Sequence, residues 1–185
     1  MKSLKDMTLE ELWELFPIVL VPHRECWKDW FREEKVFLQQ LFPRAVISHI
    51  GSTAVPGIMA KPTVDILMEF PSTEEMRLAA EVMESHGYLC MSKSENRISL
   101  NKGYTASGYA EKVFHFHLRM AGDHAEIHFR DYLNAHPEVA KEYERLKLSL
   151  WKQYEHDRDG YTEAKSDFIN RWTKEAEWKN AERNR

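Results

Sequence analysis

HIGSTAVPGIMAKPTVDILMEF, residues 49–70, reads as a strand, a glycine-containing turn, a proline-punctuated loop and a second strand with an acid near its start. Side chains alternate along a strand with period two. Val64, Ile66, Met68 and Phe70 therefore fall on one face, and Thr63, Asp65, Leu67 and Glu69 on the other. The first face packs; the second is available for chemistry. Gly51 permits close approach of the backbone and Ser52 adds a hydroxyl, and such a pair can cradle phosphate oxygens. An isolated Gly-Ser pair is more often a simple tight turn. Asp65 changes the balance, because a carboxylate in an apolar strand loses hydration unless a metal ion or another cation pairs with it.

Toward the N-terminus, Thr8 followed by Glu11 is a capping box that opens a short helix ending near Phe16, where Pro17 stops it. Residues 18–21 form an extended lead-in. From Arg24 to Phe42, Trp27, Trp30, Phe31, Phe37, Leu38 and Leu41 recur at three-to-four spacing, the pattern of a long amphipathic helix with its tryptophans in the core. A first strand follows over 45–50. On the other side of the motif, Ser72 and Glu75 repeat the capping box and Gly87 ends a helix over 73–86. Strands are expected at 88–91, 97–101 and 113–120, with 104–109 as a connection. Asp123 caps the next helix, which runs to about Ala135; Pro137 starts another, with Val139, Tyr143, Leu146, Leu150 and Tyr154 along its apolar stripe. A charged loop at 156–160 precedes a last helix carrying Tyr161, Ala164, Phe168 and Trp172, and the polar tail at 173–185 is a frayed extension. This order of elements predicts an α+β architecture: a mixed sheet with helices packed on it and a helical C-terminal part.

The 185 residues are 43% hydrophobic and 30% charged, which fits one globular domain over 1–185 and excludes disordered and fibrous classes. A net charge of −4 gives no general attraction to nucleic acid or to anionic membranes. Cys26 and Cys90 stand far apart without metal-ligand spacing and read as reduced thiols. With neither a signal-peptide pattern nor a membrane-spanning run, the expected location is cytoplasmic.

The run IGSTAVPGIMAKPTVDI, residues 50–66, resembles the signature of the GrpB family, in the nucleotidyltransferase superfamily. FHFHLR at 114–119, HFRDYLNAHPEVAKEYERLK at 128–147 and YTEAKSDFI at 161–169 are similar to three further blocks of that family, in the same order, so the likeness covers about residues 18–172. It implies a nucleotidyltransferase-like fold, a nucleotide or other phosphorylated small molecule as partner, and a divalent metal, magnesium or manganese. Imidazole donors would favour zinc, manganese or iron over magnesium. Gly51 and Ser52 would then meet phosphate and Asp65 the metal, with Lys61, Arg119, Arg130 and Lys165 as candidate phosphate contacts. His115 and His117 project from one strand face, about 7 Å apart at two residues' rise. They join Asp65 as candidate metal ligands and catalytic groups, since imidazole exchanges protons near neutral pH. His124 and His128 lie four apart on a helix but lack the HExxH order of a zinc site.

The chain departs from the superfamily at one position. Two metals about 4 Å apart need shared carboxylates, which an Asp-hydrophobic-acid strand supplies. Here Leu67 occupies the second place, Glu69 lies about 13 Å along the strand from Asp65, and a histidine stands where a neighbouring strand would bring a third acid. Two functions follow. One is transfer of a nucleotidyl group to an acceptor with a divalent metal; the other, which Leu67 favours, is a non-catalytic nucleotide- or phosphometabolite-binding module. A purely structural role fits poorly with Ser52, Asp65, His115 and His117 occurring together.

Overall fold

Val64–Phe70 is strand β2, and its alternation sets the layers of the molecule. In the computed structural model, which describes residues 4–183, Val64, Ile66, Met68 and Phe70 are at most 3% exposed and sit in the main core. The sheet has five strands in the order β1-β2-β5-β4-β3, with β1 at Val46–Ile50, β3 at Leu89–Lys93, β4 at Arg97–Thr105 and β5 at Gly108–Met120. β2 and β5 run parallel at the centre and every other neighbouring pair is antiparallel.

The two faces of the sheet carry different chemistry. Ile47, Ile98, Leu100, Phe114, Phe116 and Leu118 extend the apolar face of β2 and pack against α2 (Cys26–Leu41) and α3 (Thr73–Ser85), which contribute Trp27, Leu38, Met76, Ala80 and Met83. On the opposite face the register aligns polar side chains in rows across the strands: Asp65 beside His115 beside Asn101, then Leu67, His117 and Ser99, then Glu69, Arg119 and Arg97. A second core lies on this side, built from Val55, Ile58 and the helices α4 (Ala125–Ala135), α5 (Pro137–Trp151) and α7 (Ser166–Arg183). The short helices α1 (Leu9–Leu15) and α6 (Arg158–Glu163) complete the chain.

Local signals account for the starts of α1 and α3. Thr8 and Glu11 close the reciprocal capping box of α1, and the Ser72 hydroxyl accepts from the Glu75 amide at the start of α3. The lead-in over 18–21 is fixed at both ends: the Ile18 amide donates to Glu155, and Val21 pairs with Ala60 in an isolated bridge.

Four expectations are corrected. Residues 104–109 are not a loose connection, because β4 and β5 continue into a tight hairpin that pairs Tyr104 with Tyr109 and Thr105 with Gly108. Its turn, Ala106-Ser107, carries none of the usual two-residue turn signals. Asp123 does not cap α4. Its carboxylate pairs with Arg97 at 2.9 Å, and His124, with no side-chain capping bond, precedes the helix. The charged loop at 156–160 already holds the first turn of α6, where the Asp157 carboxylate accepts from the Gly160 amide at 2.8 Å. The tail is regular helix through Arg183, with Ala176 buried and Lys179 donating to the Tyr132 hydroxyl at 3.1 Å; residues 184 and 185 lie outside the described residues.

Phe116 is fully buried on the apolar face of the central strand pair. Truncation in Phe116→Ala is expected to cost about 3–5 kcal/mol, read as a lower urea midpoint at unchanged slope. Val36→Ala, at a position 61% exposed, should change stability by no more than about 0.5 kcal/mol.

Candidate functional site

The polar face of β2 and β5 opens into a cleft bordered by α5, α6 and the start of α7, part of a cavity of about 1130 Å³ that continues along α1 and α4 to the edge strand β3. Asp65 lies on its floor. His117 Nε2 is 3.1 Å from Asp65 Oδ1, and His115 Nδ1 faces the same oxygen at 3.6 Å. Burial pushes the Asp65 carboxyl upward, but the hydrogen bonds from His115 and His117 outweigh it and hold the group well below the usual carboxylate range. Burial lowers His115 to about 4, against the opposing pull of Asp65, so its imidazole is neutral at pH 7. An ionised carboxylate facing Nδ1 places the proton there and leaves Nε2 as acceptor. Tyr104 supplies the donor at 2.6 Å, and its oxygen in turn accepts from Arg158 at 2.8 Å.

Gly51 is glycine because of Asp65. Its φ of 71° is a conformation that side chains disfavour, and a Cβ there would stand 2.5 Å from Asp65 Oδ2. The carboxylate thus packs directly on the backbone of the turn. Ser52 follows at the head of a single 3₁₀ turn, and its hydroxyl accepts from Lys147 Nζ at 3.0 Å.

Helix α5 holds this loop by one row of side chains. Lys141 donates to the Gly57 carbonyl at 2.6 Å, Glu144 accepts from the Met59 amide at 2.5 Å, and Lys147 donates to the Met59 carbonyl as well as to Ser52. The three positions are spaced by three, so they lie along one side of the helix.

Cations crowd the cleft. Lys147 and Lys165 are 3% and 9% exposed, and Lys61 and Arg158 are partly buried beside them. Lys61 and Lys165 lie over the ring of Tyr161, with Nζ 5.8 and 4.2 Å from its centre. Burial lowers Lys61 to about 7, helped by Lys165 and Arg158 and opposed by Asp65. It lowers Lys147 to about 7, helped by Lys165, and Lys165 to about 8, against Asp65.

Of the residues singled out by the sequence, Gly51, Ser52, Lys61, Asp65, His115, His117 and Lys165 all come together here. Arg130 also borders the cleft, but its guanidinium donates to the His49 carbonyl at 2.8 Å and pairs with Asp131. Arg119 is buried against Glu126. His124 bonds Glu69 at 2.8 Å and His128 meets Asn180 at 3.2 Å, so neither serves the cleft. Lys147, Arg158 and Tyr104 escaped the sequence reading. For Lys147 a signal existed: it falls four residues after Tyr143, on the buried stripe of α5. Arg158 and Tyr104 lie in stretches read as loop, where nothing local marks them.

The donor set does not fit a two-metal centre. Leu67 is fully buried, and Glu69, 4% exposed, is spent on His124 and the Gly122 amide. Among the described residues no group of three His, Cys, Asp or Glu side chains is placed to hold a metal ion. No helix among them is long and apolar enough to cross a membrane.

The five-stranded mixed sheet with its helices is a nucleotidyltransferase-like fold. The Cid1 poly(U) polymerase superposes with a TM-score of 0.50 over 76% of this chain and 44% of that one, at 10% identity, a likeness of fold alone. A family model described as GrpB protein matches residues 17–175, and the chain belongs to the GrpB family. The glutamate-rich protein GrpB of Alkalihalophilus pseudofirmus is 36% identical over 159 residues, 82% of this chain and 91% of that protein. YqkA of Bacillus subtilis is 35% identical over 95% of this chain, which spans only 53% of YqkA. The crystal structure of GrpB from Enterococcus faecalis superposes with a TM-score of 0.75 at 29% identity, covering 88% of this chain and 99% of that one.

Two glycine substitutions separate strain from contact. Gly57, with φ 79°, has nothing within 4 Å of an added Cβ, so Gly57→Ala should cost only the left-handed strain of about 1–2 kcal/mol. Gly51→Ala must also displace the Asp65 carboxylate, and chemical denaturation should show a larger loss there.

Proposed function

We propose that this protein binds the phosphate groups of a nucleotide or another phosphorylated small molecule in the cleft over Asp65. The observation that carries the reading is the excess of basic groups gathered in one cleft. Lys61, Lys147, Lys165 and Arg158 line the same space as Asp65 on the sheet floor, whose oxygen already receives His117, while of the acids at the margin Asp159 lies beside Arg158 and Glu126 is paired with Arg119. Charges held from water without counter-charge are costly. A bound phosphate would supply the missing counter-charge, with Lys61 and Lys165 in reach and the Gly51-Ser52 turn as a cradle.

Leu67 in place of a second acid favours binding over two-metal transfer. Asp65, held ionised at the cleft floor, favours a second reading: nucleotidyl transfer with one divalent ion, magnesium, manganese or zinc, carried between Asp65 and the ligand's own phosphates. A cytoplasmic setting belongs to the same proposal, since Cys26 and Cys90 are both free thiols.

Thermal unfolding with tripolyphosphate and with nucleoside triphosphates, each with magnesium, manganese, zinc or EDTA, tests both readings. Ligand at a hundred times its dissociation constant adds about 2.7 kcal/mol, roughly 5–10 °C for a chain of this size. The binding reading expects a shift that survives EDTA and falls in Lys61→Gln and Lys165→Gln, each weakening affinity at least about tenfold. A shift that needs metal and vanishes in Asp65→Ala supports the second reading, and no shift with any ligand rejects both.

The lysines also set a pH dependence. Each attracts an anion only while protonated, and Lys61 and Lys147 stand at about 7 and Lys165 at about 8. Affinity for sulfate, whose charge is constant in this range, should therefore fall as pH rises through that window. Calorimetric titration giving a flat profile would mean that these lysines are not the anion's partners.

A further inference from the structure

The cleft is larger than a phosphate group needs. Its volume of about 1130 Å³ exceeds the roughly 300–1,000 Å³ of small-molecule sites. Its cationic end is joined to an apolar end formed by α1, whose Leu9, Leu12 and Trp13 line the same cavity although no residue of that helix is buried. A helix of seven residues is not stable by itself. It is anchored at its C-terminal end, where Phe16, 3% exposed, packs on Tyr104 and Tyr109 with ring centres 4.8 and 5.0 Å apart, and where the Tyr109 hydroxyl donates to the Phe16 carbonyl. Tyr104 is also the hydrogen-bond partner of His115, so the apolar wall and the Asp65 floor share one supporting residue. The helix is thus held in place with its apolar side facing the cavity. Among the described residues no aromatic ring stacks on that of Trp13.

Resting on the phosphate-binding reading, we propose that α1 is the wall that receives the ligand's organic part, with Trp13 as the specificity-determining contact. The cleft thereby selects phosphate compounds that carry a flat aromatic group over compact phosphates. Tryptophan offers a wide face for stacking, and such contacts are worth enough to change affinity by about tenfold or more.

Calorimetric titration of wild type, Trp13→Ala and Trp13→Phe with tripolyphosphate and with adenosine triphosphate tests this, after thermal melts confirm that each variant folds. Wild type should bind the nucleotide at least about tenfold more tightly than tripolyphosphate. Trp13→Ala should lose that preference while keeping its affinity for tripolyphosphate, and Trp13→Phe should retain most of it. Equal affinity of wild type for both ligands, or a preference unchanged in Trp13→Ala, overturns the inference and leaves the phosphate site standing. Binding of neither ligand rejects the phosphate reading and this inference with it.

Discussion

Parallel pairing of β2 with β5 is the constraint on which the rest of the structure depends. Parallel neighbours cannot be joined by a tight turn, so the chain must cross over between them. It does so through α3, β3 and β4, which cover the apolar face and extend the sheet. The pairing puts Asp65 beside His115 and Leu67 beside His117. Asp65 then fixes the glycine of the preceding turn, because its carboxylate occupies the space where a side chain at residue 51 would lie. One strand register therefore determines the backbone of a loop earlier in the chain.

Much of this was legible in the sequence because it is local. Period-two alternation assigned the faces of β2 correctly, and the capping signals at Thr8 and Ser72 marked real helix starts. The GrpB signature brought Gly51, Ser52, Asp65, His115 and His117 to one place, where the structure also has them. What was hidden depends on contacts distant in sequence. Asp123 looked like a helix cap but finds a stronger partner in Arg97, which strand register brings within reach. Arg158 reads as one more charge in a polar segment until the fold sets it against Tyr104 and His115. The hairpin after Tyr104 escaped because its turn lacks special residues; the paired strands impose it.

The electrostatics of the cleft differ from those of a two-metal centre. A pair of cations needs several carboxylates, and this floor has one, with lysines and an arginine where counter-charges would otherwise be wanted. Neutral His115 and ionised Asp65 form a hydrogen-bonding floor rather than a cluster of acids. The same fold can hold sites of quite different chemistry. Leu67, on the same strand face as Asp65, is fully buried and contributes no charge.

The row Lys141, Glu144 and Lys147 makes the geometry of the Gly-Ser loop a property of a distant helix. The loop borrows its stiffness, while its own composition is constrained at Gly57 by a positive φ and at Ile58 by burial in the second core. The helix is correspondingly intolerant of shifts in phase. A single inserted residue ahead of Lys141 would turn all three side chains by about 100°, and the loop would be released as a whole rather than loosened bond by bond. A substitution in the row removes one of these bonds, whereas an insertion between Pro137 and Lys141 acts on the whole row at once.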